Sequence, residues 1–114
     1  MPQKELLKRV VLRDERDQNG SRYLSASFSD QGDLVFAGQD LGKAVEEFFG
    51  ESEYEWFWTV RMAALPALAA ALAATLSKPD DLLLAVQQRF SGNNAAEIGP
   101  FLEQHQIPCD KYSC

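Results

Sequence analysis

The stretch that decides the fold is residues 23–37, YLSASFSDQGDLVFA. Leu24, Ala26 and Phe28 alternate with polar residues, the period of two that is expected of a strand buried on one face. Residues 30–33, Asp-Gln-Gly-Asp, supply a turn, and residues 34–37 are apolar again. The stretch therefore predicts two consecutive strands of a β-meander.

The sequence on either side adds two more strands. Residues 6–16 mix β-branched and charged side chains, typical of a strand with one wet face, and the Asp-Gln-Asn-Gly turn at residues 17–20 joins them to the next strand. In residues 54–60 every second side chain from Tyr54 to Val60 shares one face, and most of these are aromatic. We expect this fourth strand to lie at or beside the centre of the sheet.

The second half of the chain predicts helices. An alanine-rich helix carries leucines every three or four residues from Leu65 to Leu76, with Pro66 in its first turn. A second helix follows a cap at residues 77–80 and has the apolar stripe Leu83, Val86 and Phe90.

Three shorter segments complete the assignment. Val45, Phe48 and Phe49 predict a short helical turn that ends at Gly50. A third C-terminal helix is expected to be capped by Asn93 or Asn94 with Glu97 as the returning carboxylate, to be kinked or split at residues 99–100, and to hold His105 on its inner side. The last six residues are expected to form an extended tail or an edge strand.

Together these elements predict a single α+β domain over residues 1–114. Its four-stranded, mainly antiparallel sheet would have about three C-terminal helices packed on one face. The chain of 114 residues is long enough to bury a core without disulfides or metal ions.

Composition and charge restrict the function. Hydrophobic residues make up 46% of the chain and charged residues 25%, which is ordinary for a globular protein. A net charge of −6 argues against direct binding to nucleic acid phosphates or anionic membranes. The polar N-terminus lacks the features of a secretory signal, and the apolar run at residues 62–76 is too short to span a bilayer. We therefore expect a cytoplasmic protein.

The usual signatures of catalysis are absent from the sequence. It contains no phosphate-binding loop, dinucleotide-binding glycine pattern or G-x-S-x-G motif. His105 is the single histidine, and the nearby Cys109 has no accompanying oxyanion-hole motif. The spacing of His105, Cys109, Asp110 and Cys114 does not match common zinc sites. We expect no enzyme activity, cofactor or metal ion, and both cysteines as thiols.

The carboxylates are concentrated in one quarter of the chain. Residues 30–60 hold eight acidic residues and one lysine, a local net charge of −7. Such a segment can be a solvated face without a partner, a pair of catalytic carboxylates, or a docking surface for a basic protein. The pair is disfavoured because these residues fall in a short polar loop and not in an apolar cleft.

The aromatic residues beside these carboxylates also have two interpretations. The cluster of Tyr54, Trp56, Phe57 and Trp58 could form a stacking platform for bases or sugars, but single-strand binders interleave aromatics with lysine and arginine. Here Glu53 and Glu55 stand among them. Packing in the core is therefore preferred, with one ring as an interface anchor.

Two segments carry a resemblance. Residues 32–42 have the pattern G-x-L-V-x-x-G-Q-D-L-G, and residues 53–56 are Glu-Tyr-Glu-Trp. Both are similar to segments of a group of small uncharacterised bacterial proteins. By its small size, acidity and lack of catalytic motifs, the chain also resembles the immunity proteins of bacterial polymorphic toxin systems.

The resemblance and the charge together predict a function. The chain would be a non-enzymatic immunity protein that binds and blocks a cognate toxin domain, a basic nuclease or deaminase. The predicted partner-binding residues are Asp40, Glu46, Glu47, Glu51, Glu53, Tyr54, Glu55 and Trp56. The alternative is a small adaptor or structural protein without a toxin partner, forming a homodimer through a sheet edge or the alanine-rich helix.

Overall fold

The structure is a computed structural model, and it describes residues 9–18, 20–42, 53–75 and 79–113. It is α+β, with an antiparallel sheet in the order β1-β2-β3-β4-β5. The strands are β1 (Arg9–Asp17), β2 (Gly20–Phe28), β3 (Leu34–Gly42), β4 (Glu53–Val60) and β5 (Asp110–Ser113). The α+β class and the meander are confirmed.

The prediction of four strands is wrong, because β5 adds a fifth. Its residues pair with β4 from Trp56↔Ser113 to Thr59↔Asp110. The C-terminal segment therefore forms the edge strand that the sequence left open as one of two possibilities. The sequence of β5, Asp-Lys-Tyr-Ser, lacks the apolar alternation that marks a strand with one buried face, and all four residues are exposed.

The register of the central strands defines two faces of the sheet. Ala26 pairs with Phe36, and Phe36 pairs with Trp58, so these side chains share what we call the inner face. Ser25, Ala37 and Phe57 form the corresponding row on the outer face.

A β-bulge interrupts this alternation in β1. Val11 pairs with Ser25 and Arg13 pairs with Leu24, leaving Leu12 as the extra residue between them. Because Leu24 belongs to the inner face, the bulge brings Arg13 to that face as well. Strict alternation from Val11, which lies on the outer face, would have placed Arg13 beside it on the outside.

In the described part of the chain, three α-helices follow β4. A 3₁₀ turn, Met62–Ala64, leads into α1 (Leu65–Ala71), and α2 spans Pro79–Phe90. A second 3₁₀ segment, Gly92–Glu97, leads into α3 (Ile98–Gln104). Pro66 lies in the first turn of α1, as predicted.

The core lies between the inner face and the helices. The predicted stripe of α2, Leu83, Val86 and Phe90, is completely buried. It joins Ala26 and Phe36 of the sheet in a cluster of buried apolar residues. The ring of Phe90 and that of Phe101 in α3 meet edge to face at a centroid distance of 5.2 Å.

Two details of the third helix differ from the prediction. Neither Asn93 nor Asn94 caps it, because Ser91 and Glu97 stand at the N-cap positions and make no side-chain cap hydrogen bond. The Glu97 carboxylate instead accepts a hydrogen bond of 2.9 Å from Arg89. His105, expected on the inner side, is exposed, although its ring centroid lies 4.4 Å from that of Phe101.

Several predictions lie outside the described residues. They are the start of β1 before Arg9, the helical turn at residues 45–50, Leu76 of the first helix, and the cap residues Ser77 and Lys78. Among the described residues, no helix has the length and apolar character needed to cross a membrane.

Candidate functional site

The predicted partner-binding residues come from the end of β3, the start of β4 and the sequence between these strands. At this end of the sheet, which we call the Gly42 end, β3 finishes at Gly42 and β4 begins at Glu53. Asp40, Tyr54, Glu55 and Trp56 lie within these two strands and are all partly buried. Glu53 pairs with Leu41. Glu46, Glu47 and Glu51 fall in the sequence between the strands and lie outside the described residues.

The structure divides this set between the two faces of the sheet. Asp40 pairs with Tyr54, two positions from Trp56, and all three belong to the inner face. Glu55 pairs with Gln39 and belongs to the outer face. A partner that contacts both Asp40 and Glu55 must therefore bind across the end of the sheet.

Arginines of the first hairpin lie beside the inner-face carboxylate. Arg22 of β2 pairs with Asp40 on one side and with Glu15 on the other. Arg13 Nε lies 3.3 Å from Glu15 Oε2. In the sequence the hairpin lies outside the acidic segment of residues 30–60, but strand pairing brings its cation Arg22 to the Gly42 end.

Two carboxylates of the acidic segment lie at the opposite end of the sheet. Asp30 and Asp33 belong to the turn between β2 and β3, separated from Gly42 by the nine residues of β3. At about 3.3 Å per residue, that strand is about 30 Å long. The segment of charge −7 in the sequence is therefore not one continuous surface.

Asp33 has a structural role. Its Oδ1 accepts a hydrogen bond of 2.8 Å from the Met62 N–H, and its Oδ2 lies 3.5 Å from Arg61 Nη1. Arg61 Nε also donates to Asp110 Oδ2 at 2.7 Å. The hydrogen bond and the charge of Asp110, followed by the charge of Asp33, raise the pKa of Arg61. This network links the β2–β3 turn, the end of β4 and the start of β5.

Trp56 and Trp58 form the wall of the site on the inner face. Their ring centroids are 5.2 Å apart, and both rings are partly buried against the core. The ammonium group of Lys111 lies 4.4 Å from the Trp58 ring centroid, a cation–π contact. The prediction that the aromatic cluster packs on the core is confirmed for Trp56 and Trp58, and Trp56 also keeps an accessible part.

Trp56 lies between two cavities. One has a volume of about 350 Å³ and is an open groove bounded by Tyr54 and the residues of β5. The other has a volume of about 220 Å³ and lies between the sheet and the start of α3. Its lining includes Arg13, Arg22, Asp40, Trp56 and Ile98.

Sequence reasoning missed Arg13 and Arg22 as parts of the site. Arg22 could have been found from the alternation in β2, since it precedes Leu24 by two residues. Arg13 had no such signal, because it reaches the inner face through the bulge at Leu12.

The C-terminal residues considered for catalysis or metal binding are His105, Cys109, Asp110 and Cys114. Cys109 is a free, partly buried thiol, and burial is the main cause that raises its pKa. Cys114 lies outside the described residues. In the described part of the chain, no group of three or more His, Cys, Asp or Glu side chains is placed to hold a metal ion.

No protein-family model matches the chain, and its comparison with curated proteins and with solved structures finds no match.

Proposed function

We propose that the chain is a non-enzymatic cytoplasmic immunity protein that binds and blocks a cognate toxin domain. The partner would be a basic nuclease or deaminase, and the binding surface would be the Gly42 end of the sheet. Binding there would cover the cationic groove through which the toxin reaches nucleic acid.

One observation carries the proposal: the Gly42 end combines carboxylates with aromatic side chains. Asp40 and Glu55 lie on opposite faces of neighbouring strands at this end. Three further carboxylates, Glu46, Glu47 and Glu51, fall in the sequence that joins these strands. Carboxylates concentrated in this way accelerate the encounter with a basic partner and select against acidic ones.

Trp56 supplies the apolar part of the proposed interface. Its ring is supported by the core on one side and bounds the open groove beside Tyr54 on the other. Tryptophan and tyrosine are enriched among the residues that contribute most to binding energy. A ring held by the core also loses little conformational entropy on binding.

The test uses the protein encoded by the gene adjacent to that of this chain. Cells that express this neighbouring protein should stop growing, and co-expression of the chain should restore growth. The double variant Glu53→Lys and Glu55→Lys should fail to restore it. The matched control, Asp30→Lys and Glu103→Lys, changes the same charge at exposed positions outside the Gly42 end and should protect fully.

Two results would contradict the proposal. One is a neighbouring protein that is not toxic, or whose toxicity the chain does not relieve. The other is a control variant that loses protection together with the Glu53 and Glu55 variant, because the effect would then come from net charge and not from the Gly42 end.

The alternative function, a homodimeric adaptor, is favoured by a different observation. Among the described strands, β5 has β4 as a neighbour on one side only, and its four residues are exposed. A strand edge of this kind can pair with a second copy of the chain. Light scattering over a salt titration separates the two functions, since apolar self-association tolerates salt and charge-steered binding weakens.

A further inference from the structure

The cavity of about 220 Å³ between the sheet and α3 has the features of a ligand site. We propose that it binds a small organic carboxylate, with the anion held by Arg13 and the apolar part of the ligand against Trp56. This inference does not depend on the proposed toxin partner, because the site is complete within the chain.

Arg13 is the first reason. Among the described residues, its Nε is the buried side-chain nitrogen or oxygen that has no hydrogen-bond partner. Glu15 lies 3.3 Å away, but the contact does not have the geometry of a hydrogen bond. A buried donor without a hydrogen bond is costly, and the guanidinium group that carries it belongs to a residue that lines the cavity.

The β-bulge in β1 determines where Arg13 lies. The bulge at Leu12 brings Arg13 to the inner face, where it lines the cavity and its side chain is only 18% exposed. Bulges are frequent next to functional sites, where they redirect a side chain. A guanidinium group offers several donors in a fixed plane, which suits a carboxylate.

Trp56 provides the apolar surface. Its indole ring lies so close to Gly38 that a Cβ there would be 2.1 Å from Cε2. The ring therefore lies against the strand, and Ala95 and Ile98 complete the apolar lining. The volume is below the usual range for drug-sized ligands, so the ligand would be as small as a single substituted ring.

The charges at the site favour an anion over a cation. Arg22 and Asp40 are paired across β2 and β3 and carry opposite charges. Together they therefore contribute little net electrostatic potential in the cavity. Glu15 is the counterion of Arg13, but its side chain is 51% exposed and can be solvated by water. With 18% of its side chain exposed, Arg13 is the more buried member of this ion pair, and it lines the cavity.

Benzoate, benzamide and benzamidine are suitable probes, because they share one shape and carry negative, zero and positive charge. Trp56 and Trp58 are the chain's two tryptophans, and both line this cavity. Tryptophan fluorescence excited at about 295 nm therefore reports on the site and also on the open groove, which both rings line as well, and a variant at Ala96, in the lining of this cavity alone, distinguishes the two. We expect benzoate to give a saturable change with a dissociation constant of about 0.1–5 mM.

Three variants test the role of the cavity. Arg13→Gln should weaken benzoate binding at least about tenfold, whereas Arg16→Gln, on the same strand but 84% exposed, should leave it unchanged. Ala96→Phe, at an exposed position of the lining, should block entry without touching Arg13. Circular dichroism verifies that each variant is folded, and Ala96→Phe decides the question if Arg13→Gln does not fold.

The outcomes are distinct. Saturable binding of benzoate, weaker binding of benzamide, and loss in both cavity variants would support the proposal. A higher affinity for benzamidine would overturn it in favour of a cation site at Asp40. Absence of saturation with all three probes, or equal affinity in wild type and Ala96→Phe, would also overturn it.

Discussion

The indole ring of Trp56 lies directly over Gly38, its partner in the β3–β4 pairing. A Cβ built at Gly38 would be 2.1–2.4 Å from three atoms of the ring. No larger residue fits at position 38 unless the ring moves. This contact holds the wall shared by the two cavities in place.

Replacement of Gly38 by alanine should therefore displace Trp56. We expect a loss of about 1–3 kcal/mol in the free energy of unfolding, the usual cost of overpacking. Urea unfolding measures this loss, and the tryptophan emission of the folded state should change at the same time.

Gly92→Ala is the control. Gly92 has a φ of +61°, so alanine there is strained, but its Cβ would meet no atom within 4 Å. Stability should fall by about 1 kcal/mol while the tryptophan emission stays that of the wild type. An unchanged emission in Gly38→Ala would show that the ring does not rest on this backbone.

The sequence predicts the parts of the fold that depend on local alternation. In β2, apolar residues from Leu24 to Phe28 alternate with polar ones. This alternation and the stripe from Leu83 to Phe90 each predict one apolar face, and the structure packs both faces in the core. A bulge such as that at Leu12 depends on the register with the neighbouring strand β2, and no alternation within β1 marks it. It is the reason that Arg13 was missed.

The candidate site shows a related limit. Alternation in residues 53–56 already separates Glu55 from Tyr54 and Trp56, yet charge counting along the chain treats them as one surface. Strand pairing also moves Arg22 beside Asp40. The strand register decides which charged residues of a segment lie on the same surface, so charge counted along the sequence does not locate that surface.

Asp33 should be a stabilising residue and not part of a docking surface. Asp33→Ala removes the acceptor of the Met62 N–H and one partner of Arg61, so we expect a loss of about 1–3 kcal/mol. Asp30→Ala removes an equal charge from an exposed position of the same turn and should cost less than about 0.5 kcal/mol. Urea unfolding compares the two, and equal losses would contradict the assigned role.

Cys109 should react slowly with alkylating reagents. Because burial raises its pKa above the usual value of about 8.5, little thiolate is present at neutral pH. In a Cys114→Ser variant, the rate of iodoacetamide alkylation should rise with pH to a midpoint above that value. A midpoint at or below it would contradict the effect of burial.

The raised pKa of Cys109 also makes the free energy of unfolding depend on pH. The thiol of the unfolded chain ionises at a lower pH than the folded one, so the stabilisation from Cys109 is lost as pH rises from about 8.5 through the folded pKa. Unfolding curves of Cys109→Ser should lack this part of the pH dependence.

Asp40 and Glu55 should differ in their effect on benzoate. Asp40 lines the cavity, so Asp40→Asn removes a repulsive charge and should tighten binding by about two- to fivefold. Glu55→Gln makes the same change on the outer face and should leave the affinity unchanged. Equal effects in fluorescence titrations would contradict the division of the two residues between faces.

The most direct test of the central claim is the association rate with the neighbouring gene's protein, measured by stopped flow as a function of salt. At about 20 mM salt, the Glu53→Lys and Glu55→Lys variant should associate at least about tenfold more slowly than wild type, and the difference should shrink towards about 500 mM. The Asp30→Lys and Glu103→Lys control should associate like wild type. An unchanged rate in the first variant, or an equal decrease in both, would contradict a docking surface at the Gly42 end.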